Sequence, residues 1–246
     1  MTHAALMLAY NNLELTKRAI ESVKRQDIPV ELLVIDDAST DGTHEWLASD
    51  EFSGISLSHS VNKCFTASIN EGLSYWFNKG EPYVLMMSND IVLSPWYYRE
   101  LLTYDIPLVS GYTTEDINEI ASSRPVFEPK GGASYGALLV RREAWDVVGV
   151  LDENMKFYAS DCDYAVRAHR AGVRSCHVNL PYYHAGSSTL KNSLPDERHA
   201  IEAQAGKDIE EFARKWGYFP GSLDWQKLFA EEFFGIDRKK REANQQ

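Results

Sequence analysis

The sequence predicts an α/β domain in which a mixed, mainly parallel β-sheet is flanked by helices. Three observations carry that expectation. The runs Ala4–Ala9 and Tyr83–Met87 are continuously apolar, Val30–Ile35 is nearly so, and all are of strand length, as expected of strands buried on both faces. Segments between them place apolar residues at helical spacing, for example Thr16, Ala19, Ile20 and Val23, so each can cover one face of such a sheet. Each run also stops in polar residues: Tyr10-Asn11-Asn12, Asp36-Asp37 and Ser88-Asn89-Asp90. Parallel strands would gather those ends on one edge, where open α/β sheets bind their ligands.

The chain in order gives the following elements. Ala4–Ala9 is a first strand and Leu13–Arg25 a helix that an asparagine can cap; Val30–Ile35 is a second strand, followed by a short helix from Thr43 to Leu47 and a strand at Ile55–Leu57. Thr66–Lys79 is a helix with Ile69, Leu73, Trp76 and Phe77 on one side, leading into the central strand Tyr83–Met87. Ser94 offers an N-cap and Pro95 a first helical residue, so the next helix is expected over Pro95–Leu102. In that helix Trp96, Tyr97 and Tyr98 read as core or as a sugar-lining wall. Leu108–Ser110 is a further strand, and Thr113–Pro129, polar and carrying two prolines, reads as a mobile loop.

Past Gly131-Gly132 comes the apolar run Tyr135–Val140, then a helix over Arg141–Val148. Ser160-Asp161-Cys162-Asp163 opens a helix that Gly172 ends; Asp161 and Asp163, two apart, do not share its face, so one can enter a cleft while the other meets the first-turn N–H groups. Val173–Val178 is a late strand followed by Tyr182-Tyr183-His184. Ile201, Ala205, Ile209, Phe212 and Trp216 then mark one long helix over Asp196–Trp216, ended by Gly217. This gives a main domain of residues 1–217 and an extension, 218–246, with a short helix at Trp225–Phe234 and a basic cluster, Arg238–Arg241.

Bulk properties narrow the function. A chain of 246 residues with 44% hydrophobic and 25% charged residues builds one ordinary core. A net charge of −11 repels phosphate backbones, so nucleic acid is disfavoured as a partner. Three widely spaced cysteines read as free thiols, and no leader or membrane-spanning run is evident, so a cytoplasmic location is expected. Asp36, Asp37, Asp90, Asp161, Asp163 and His184 form a set near strand ends that suits Mg²⁺ or Mn²⁺. Neither GxGxxG after the first strand nor GxxxxGK[ST] is present, which speaks against a dinucleotide fold and a P-loop NTPase.

Three blocks now stand in order: AYNNLELTKRAIESV with LLVIDDASTDGT; VLMMSNDIVLSP; and GGASYGALLVRREAW, VGVLDENMKFYASDCDYAVRAHRAGVRS and YYHAGSS. Together they resemble the inverting GT-A glycosyltransferases of family 2, especially the rhamnosyltransferase-like branch. The resemblance implies a GT-A fold and transfer of a hexosyl or pentosyl group from a nucleoside-diphosphate-sugar to a glycan, lipid-linked sugar or other hydroxyl acceptor. It implies that Ala9, Tyr10 and Asp36 line the base and ribose, with Asp37 and Asn89 beside them. Asp90 would hold Mn²⁺ or Mg²⁺ as the last aspartate of the DxD motif, His184 would complete the shell, and Asp161 would be the general base of the ED motif. Ser88 replaces the first DxD aspartate and Ser160 the ED glutamate. Plain structural readings stand beside these roles: strand-end turns for Asp36-Asp37 and Asp90, a surface histidine for His184 and a helix cap for Asp161. Rival functions are the same chemistry on hydroxylated DNA bases, which the basic tail favours, and nucleotide-sugar binding without catalysis.

Overall fold

The structure, a computed structural model, describes residues 2–122, 126–130, 133–186, 195–225 and 227. Its first half alternates strand and helix: β1 (His3–Ala9), α1 (Leu13–Lys24), β2 (Val30–Asp36), α2 (Thr43–Leu47), β3 (Ile55–Ser58), α3 (Cys64–Asn78), β4 (Tyr83–Ser88), β5 (Ile91–Val92) and α4 (Tyr97–Leu102). The second half holds β6 (Leu108–Thr114), α5 (Glu119–Ser122), β7 (Val126–Lys130), β8 (Ala137–Arg141), α6 (Arg142–Val148), α7 (Ser160–Arg170), β9 (Ser175–His184) and α8 (Pro195–Trp216).

These strands form one mixed sheet in the order β3-β2-β1-β4-β8-β6-β9-β5, with β7 pairing β9 off that path. The four strands β3, β2, β1 and β4 are mutually parallel; β8 runs antiparallel to both β4 and β6, and β6 is parallel to β9. The chain leaves β1 toward β2 and β3, then returns to place β4 on the other side of β1. That reversal opens a crevice at the carboxyl ends of β1 and β4.

The continuous apolar runs are buried on both faces because each face has its own core. Ala5, Met7 and Ala9 of β1 pack with Ala19, Ile20 and Val23 of α1 and with Tyr97 and Tyr98, while Ala4, Leu6 and Leu8 face Ile69, Leu73 and Trp76 of α3. Trp76 is core, as expected, and its Nε1 donates to Ala5 O at 2.9 Å. Tyr97 and Tyr98 are core rather than sugar-lining: both are fully buried, and their hydroxyls donate to Ala137 O and Ala4 O. No helix among the described residues is long and apolar enough to cross a membrane. The three cysteines are free thiols.

Several local expectations need correction. The Asn12 side chain does not cap α1; the residue lies in the left-handed region, and Asp41 Oδ2 accepts from Leu13 N instead. Ser94 does not cap α4, which starts two residues after Pro95, at Tyr97. The stretch Thr113–Pro129 is not all loop, because β6 runs on to Thr114 and α5 and β7 follow. Asp163 meets side chains rather than first-turn N–H groups. On α8 the fully buried positions are Asp208 and Phe212, whereas Ile209 is 37% exposed. The expected helix over Trp225–Phe234 and the cluster Arg238–Arg241 lie outside the described residues, apart from Trp225 and residue 227.

Candidate active site

Parallel pairing brings the strand ends into register. Ala9 lies opposite Asp36, and Leu8 opposite Ser88, so the polar residues after β1, β2 and β4 emerge together. The two loops after β1 and β2 are laced: Asn11 N donates to Ser39 Oγ at 2.8 Å and Thr40 N to Asn11 Oδ1 at 2.8 Å. Asn89 ties the end of β4 to that loop, its Nδ2 donating to Asn11 O at 2.9 Å and to Thr16 Oγ1 at 2.8 Å.

A cleft of about 720 Å³ opens along this edge. Tyr10, Asp37, Ser88, Asn89, Asp90, Asp161 and His184 line it together with Tyr135, Lys156 and Gln204. The structure therefore gathers residues that lie up to a hundred and more positions apart in the chain. Two of the sequence-predicted residues stand behind the wall. Ala9 is fully buried and offers its carbonyl to Asp37 N at 2.8 Å. Asp36 is also fully buried; its Oδ1 accepts from Ser39 N at 3.1 Å, and its Oδ2 lies 3.3 Å from His44 Nδ1 without making a hydrogen bond. A second concavity, of about 700 Å³, lies along α1 between Lys17, Trp46 and Pro95 and holds none of the strand-end residues.

Asp37 is held firmly. Its Oδ1 accepts from Lys63 N at 2.8 Å and lies 2.8 Å from His59 Nδ1, while His59 Nε2 lies 3.0 Å from Glu71 Oε2. The Lys63 ammonium, with His59, keeps the Glu71 carboxyl below its usual value against the opposing effect of burial.

Asp90 and His184 meet through a device too small to foresee. Immediately after Asp90 the chain forms the two-residue strand β5, which pairs antiparallel with the end of β9 and puts Ile91 opposite His184. Ala185 N donates to Asp90 O at 3.0 Å, and His184 Nε2 lies 3.2 Å from Asp90 Oδ2. A carboxylate oxygen and an imidazole nitrogen thus converge at the cleft. That donor pair suits Mn²⁺, and Mg²⁺ sites commonly use one or two protein ligands with substrate phosphates supplying others. No group of three or more metal-ligating side chains is found among the described residues. The pair fits an ion shared with a diphosphate better than a self-contained protein cage.

The first turn of α7 lines the same cleft. Ala159, at φ 59°, precedes it, Ser160 is its first residue, and Asp161 Oδ1 accepts from Cys162 N at 2.8 Å. Asp161 is partly exposed to the cleft, whereas Asp163 is fully buried and bound by Arg167 Nε at 2.8 Å, Lys215 Nζ at 2.7 Å and Trp216 Nε1 at 2.9 Å. The two carboxylates are thereby separated into one facing the cleft and one anchoring α8. Tyr135 also reaches this side. Burial, with the Tyr164 hydroxyl and the Asp161 carboxylate nearby, pushes its phenol well above 10, so it stays protonated, and the buried hydroxyl has no hydrogen-bond partner among the described residues.

Sequence reasoning missed Tyr135, Lys156 and the contribution of α8 to the cleft. One signal was available for α8: Asp208 falls on the apolar line of Ile201, Ala205 and Phe212, and a charged residue on a buried stripe calls for a partner.

Fold and cleft together define an α/β protein of the GT-A type, with a mixed sheet flanked by helices. Residues 5–105, from β1 to just past α4, match the family model described as Glycosyl transferase family 2. No curated protein sequence matches the chain. Among solved structures, TarS of S. aureus is similar at 16% identity and a TM-score of 0.55, over 93% of this chain but 47% of that one, so the chain spans about half its length. The mannosyltransferase PcManGT from Pyrobaculum calidifontis, in complex with GDP-Man and Mn²⁺, is similar at 14% identity and 0.55, over 92% of this chain and 77% of that one. Glucosyl-3-phosphoglycerate synthase from Mycobacterium tuberculosis, in complex with Mn²⁺, UDP and glucosyl-3-phosphoglycerate, is similar at 19% identity and 0.58, over 90% and 81%.

Proposed function

We propose that the protein transfers a sugar from a nucleoside-diphosphate-sugar to an acceptor hydroxyl, with inversion at the anomeric carbon. The observation that carries this reading is that one cleft is lined both by the Asp90–His184 pair and by the first turn of α7 that bears Asp161. The family match to residues 5–105 supports the donor half, and the nucleotide complexes of PcManGT and the synthase are consistent with a donor at this edge.

In this reading Tyr10 and Asp37 receive the nucleoside, with Ala9 and Asp36 as the backing of that wall and Asn89 fixing the loop over it. Asp90 and His184 would hold Mn²⁺ or Mg²⁺ beside the donor diphosphate, and Ser88 supplies no second carboxylate. An ion held there would supply neutralisation of the charge that develops on the departing diphosphate. Asp161 accepts the proton of the acceptor hydroxyl as that oxygen attacks from the side opposite the leaving group. A direct displacement needs no covalent nucleophile. The cleft cysteine fits that absence: burial pushes the Cys64 thiol up, toward its unreactive protonated form.

A panel of UDP-, GDP-, dTDP- and CDP-sugars with Mn²⁺ tests the reading by thermal shift and by release of nucleotide. At least one donor should raise the melting temperature and be slowly hydrolysed. A panel that neither stabilises the protein nor loses its sugar would count decisively against it.

A further inference from the structure

We propose that Asp208, buried on α8, is a positioning residue that sets the Asp161 carboxylate in the cleft. The inference rests on the reading of Asp161 as the base. Asp208 is fully buried and joins two segments: Oδ2 accepts from Phe157 N at 2.8 Å and Tyr158 N at 3.0 Å, and Oδ1 accepts from Gln204 Nε2 of its own helix at 2.8 Å. A buried carboxylate is costly to desolvate and persists when its oxygens are fully engaged. Here it is engaged by the backbone of the segment that leads into Asp161.

That segment is gripped from the other side as well. Thr66 of α3 donates through Oγ1 to Met155 O at 2.6 Å and to Lys156 O at 3.1 Å. Two residues beyond Tyr158 the chain has passed through Ala159, a non-glycine residue at φ 59°, a conformation that persists only where its surroundings over-determine it. After Asp161 the next anchor is Asp163, bound by Lys215 and Trp216. Both sides of Asp161, residues 157–158 and residue 163, are therefore fastened to α8. The helix lies outside the segment matched by the family model, and its Ala200, Ile201 and Gln204 line the same cleft. Asp208 touches neither the nucleotide edge at β1, β2 and β4 nor the Asp90–His184 pair.

This placement separates positioning from general stability. A displacement of about 1 Å at a reacting group costs on the order of 10² in rate. Asp208→Ala should lower turnover of the nucleotide sugar that the parent hydrolyses with Mn²⁺ by roughly 10- to 100-fold, with the dissociation constant of that nucleotide unchanged within about twofold. Asp208→Asn retains one carbonyl oxygen for Phe157 N and Tyr158 N, so its loss should be smaller, roughly 3- to 10-fold, and amide exchange at those two residues should speed up in the same order. Turnover per folded molecule within about twofold of the parent in Asp208→Ala, or in Asp208→Asn should the alanine variant not fold, overturns the proposal. A parallel rise in the nucleotide dissociation constant overturns it too, since it marks general damage. Absence of nucleotide binding by the parent itself is a different failure and removes the glycosyltransferase reading.

Discussion

Asp161 and Asp163 stand two residues apart and should respond to the same substitution in opposite ways. Asp163 is fully buried against two cations and an indole N–H, at 2.7 to 2.9 Å. Removing one partner of a buried ion pair costs about 3–5 kcal/mol, because the charges left behind stay desolvated. Arg167 and Lys215 have side chains that are 22% and 28% exposed, so water can reach them and the cost of Asp163→Asn falls to about 2–4 kcal/mol. For a chain of this size that is a fall in melting temperature of roughly 5–15 °C. Asp161 accepts from Cys162 N and from the Cys162 thiol and faces the cleft, and asparagine keeps an oxygen to accept from them. Asp161→Asn should therefore melt within about 2 °C of the parent while its turnover falls roughly 10²- to 10⁴-fold, with nucleotide affinity kept. The assay is a circular-dichroism melt beside nucleotide release from the donor that the parent turns over. The reversed pattern, a stable but inactive Asp163→Asn and an active Asp161→Asn, would refute the assignment.

Three further outcomes are expected. A Cβ on Gly111 would lie 1.9 Å from Leu180 O, which is backbone at the β6–β9 bulge, so Gly111→Ala should cost about 2 kcal/mol or more in urea unfolding. Asn89→Ala removes the bonds to Asn11 O and Thr16 Oγ1 and should weaken nucleotide binding several-fold in calorimetry while costing about 1–2 kcal/mol of stability. Burial raises the Asp152 carboxyl, but the Lys215 and Asn154 bonds outweigh it and hold the group below 3.8; burial lowers Lys215, but Asp152 and Asp163 hold it above 10.5. The Asp152–Lys215 contribution is thus fully present between those values. It is lost as pH falls through the folded value of Asp152 and as pH rises through that of Lys215. The melting-temperature gap between the parent and Lys215→Met should stay flat from about pH 5 to 9 and narrow in acid; a gap that widens in acid contradicts the pairing.

The residues that built the sheet were legible because burial on two faces writes a continuous apolar run, as in Leu32–Ile35 and Val84–Met87. Strand ends were legible for the same reason, since polarity returns abruptly at Asp36 and Ser88. What stayed hidden depends on contacts between distant segments. β5 is two residues long and shows no period, yet it brings His184 to Asp90. The cap of α1 comes from Asp41, twenty-eight positions away, so the adjacent asparagines misled. β9 continues through Pro181 to His184, although a proline usually argues against the interior of a strand. On α8 the apolar period pointed to Ile209, but the buried place belongs to Asp208, whose partners include the backbone N–H groups of Phe157 and Tyr158, which no side-chain pattern identifies.

The central claim is that Asp90 and His184 organise a metal-assisted donor site, and calorimetry of nucleotide binding tests it most directly. The titrant is the nucleoside diphosphate of the best donor, added with Mn²⁺ or with EDTA to the parent and to Asp90→Ala. The expected result is a parent affinity that is much higher with Mn²⁺, and a variant in which that metal-dependent gain is gone while the weak metal-free binding remains. Nucleotide affinity unchanged by both EDTA and Asp90→Ala would contradict the claim.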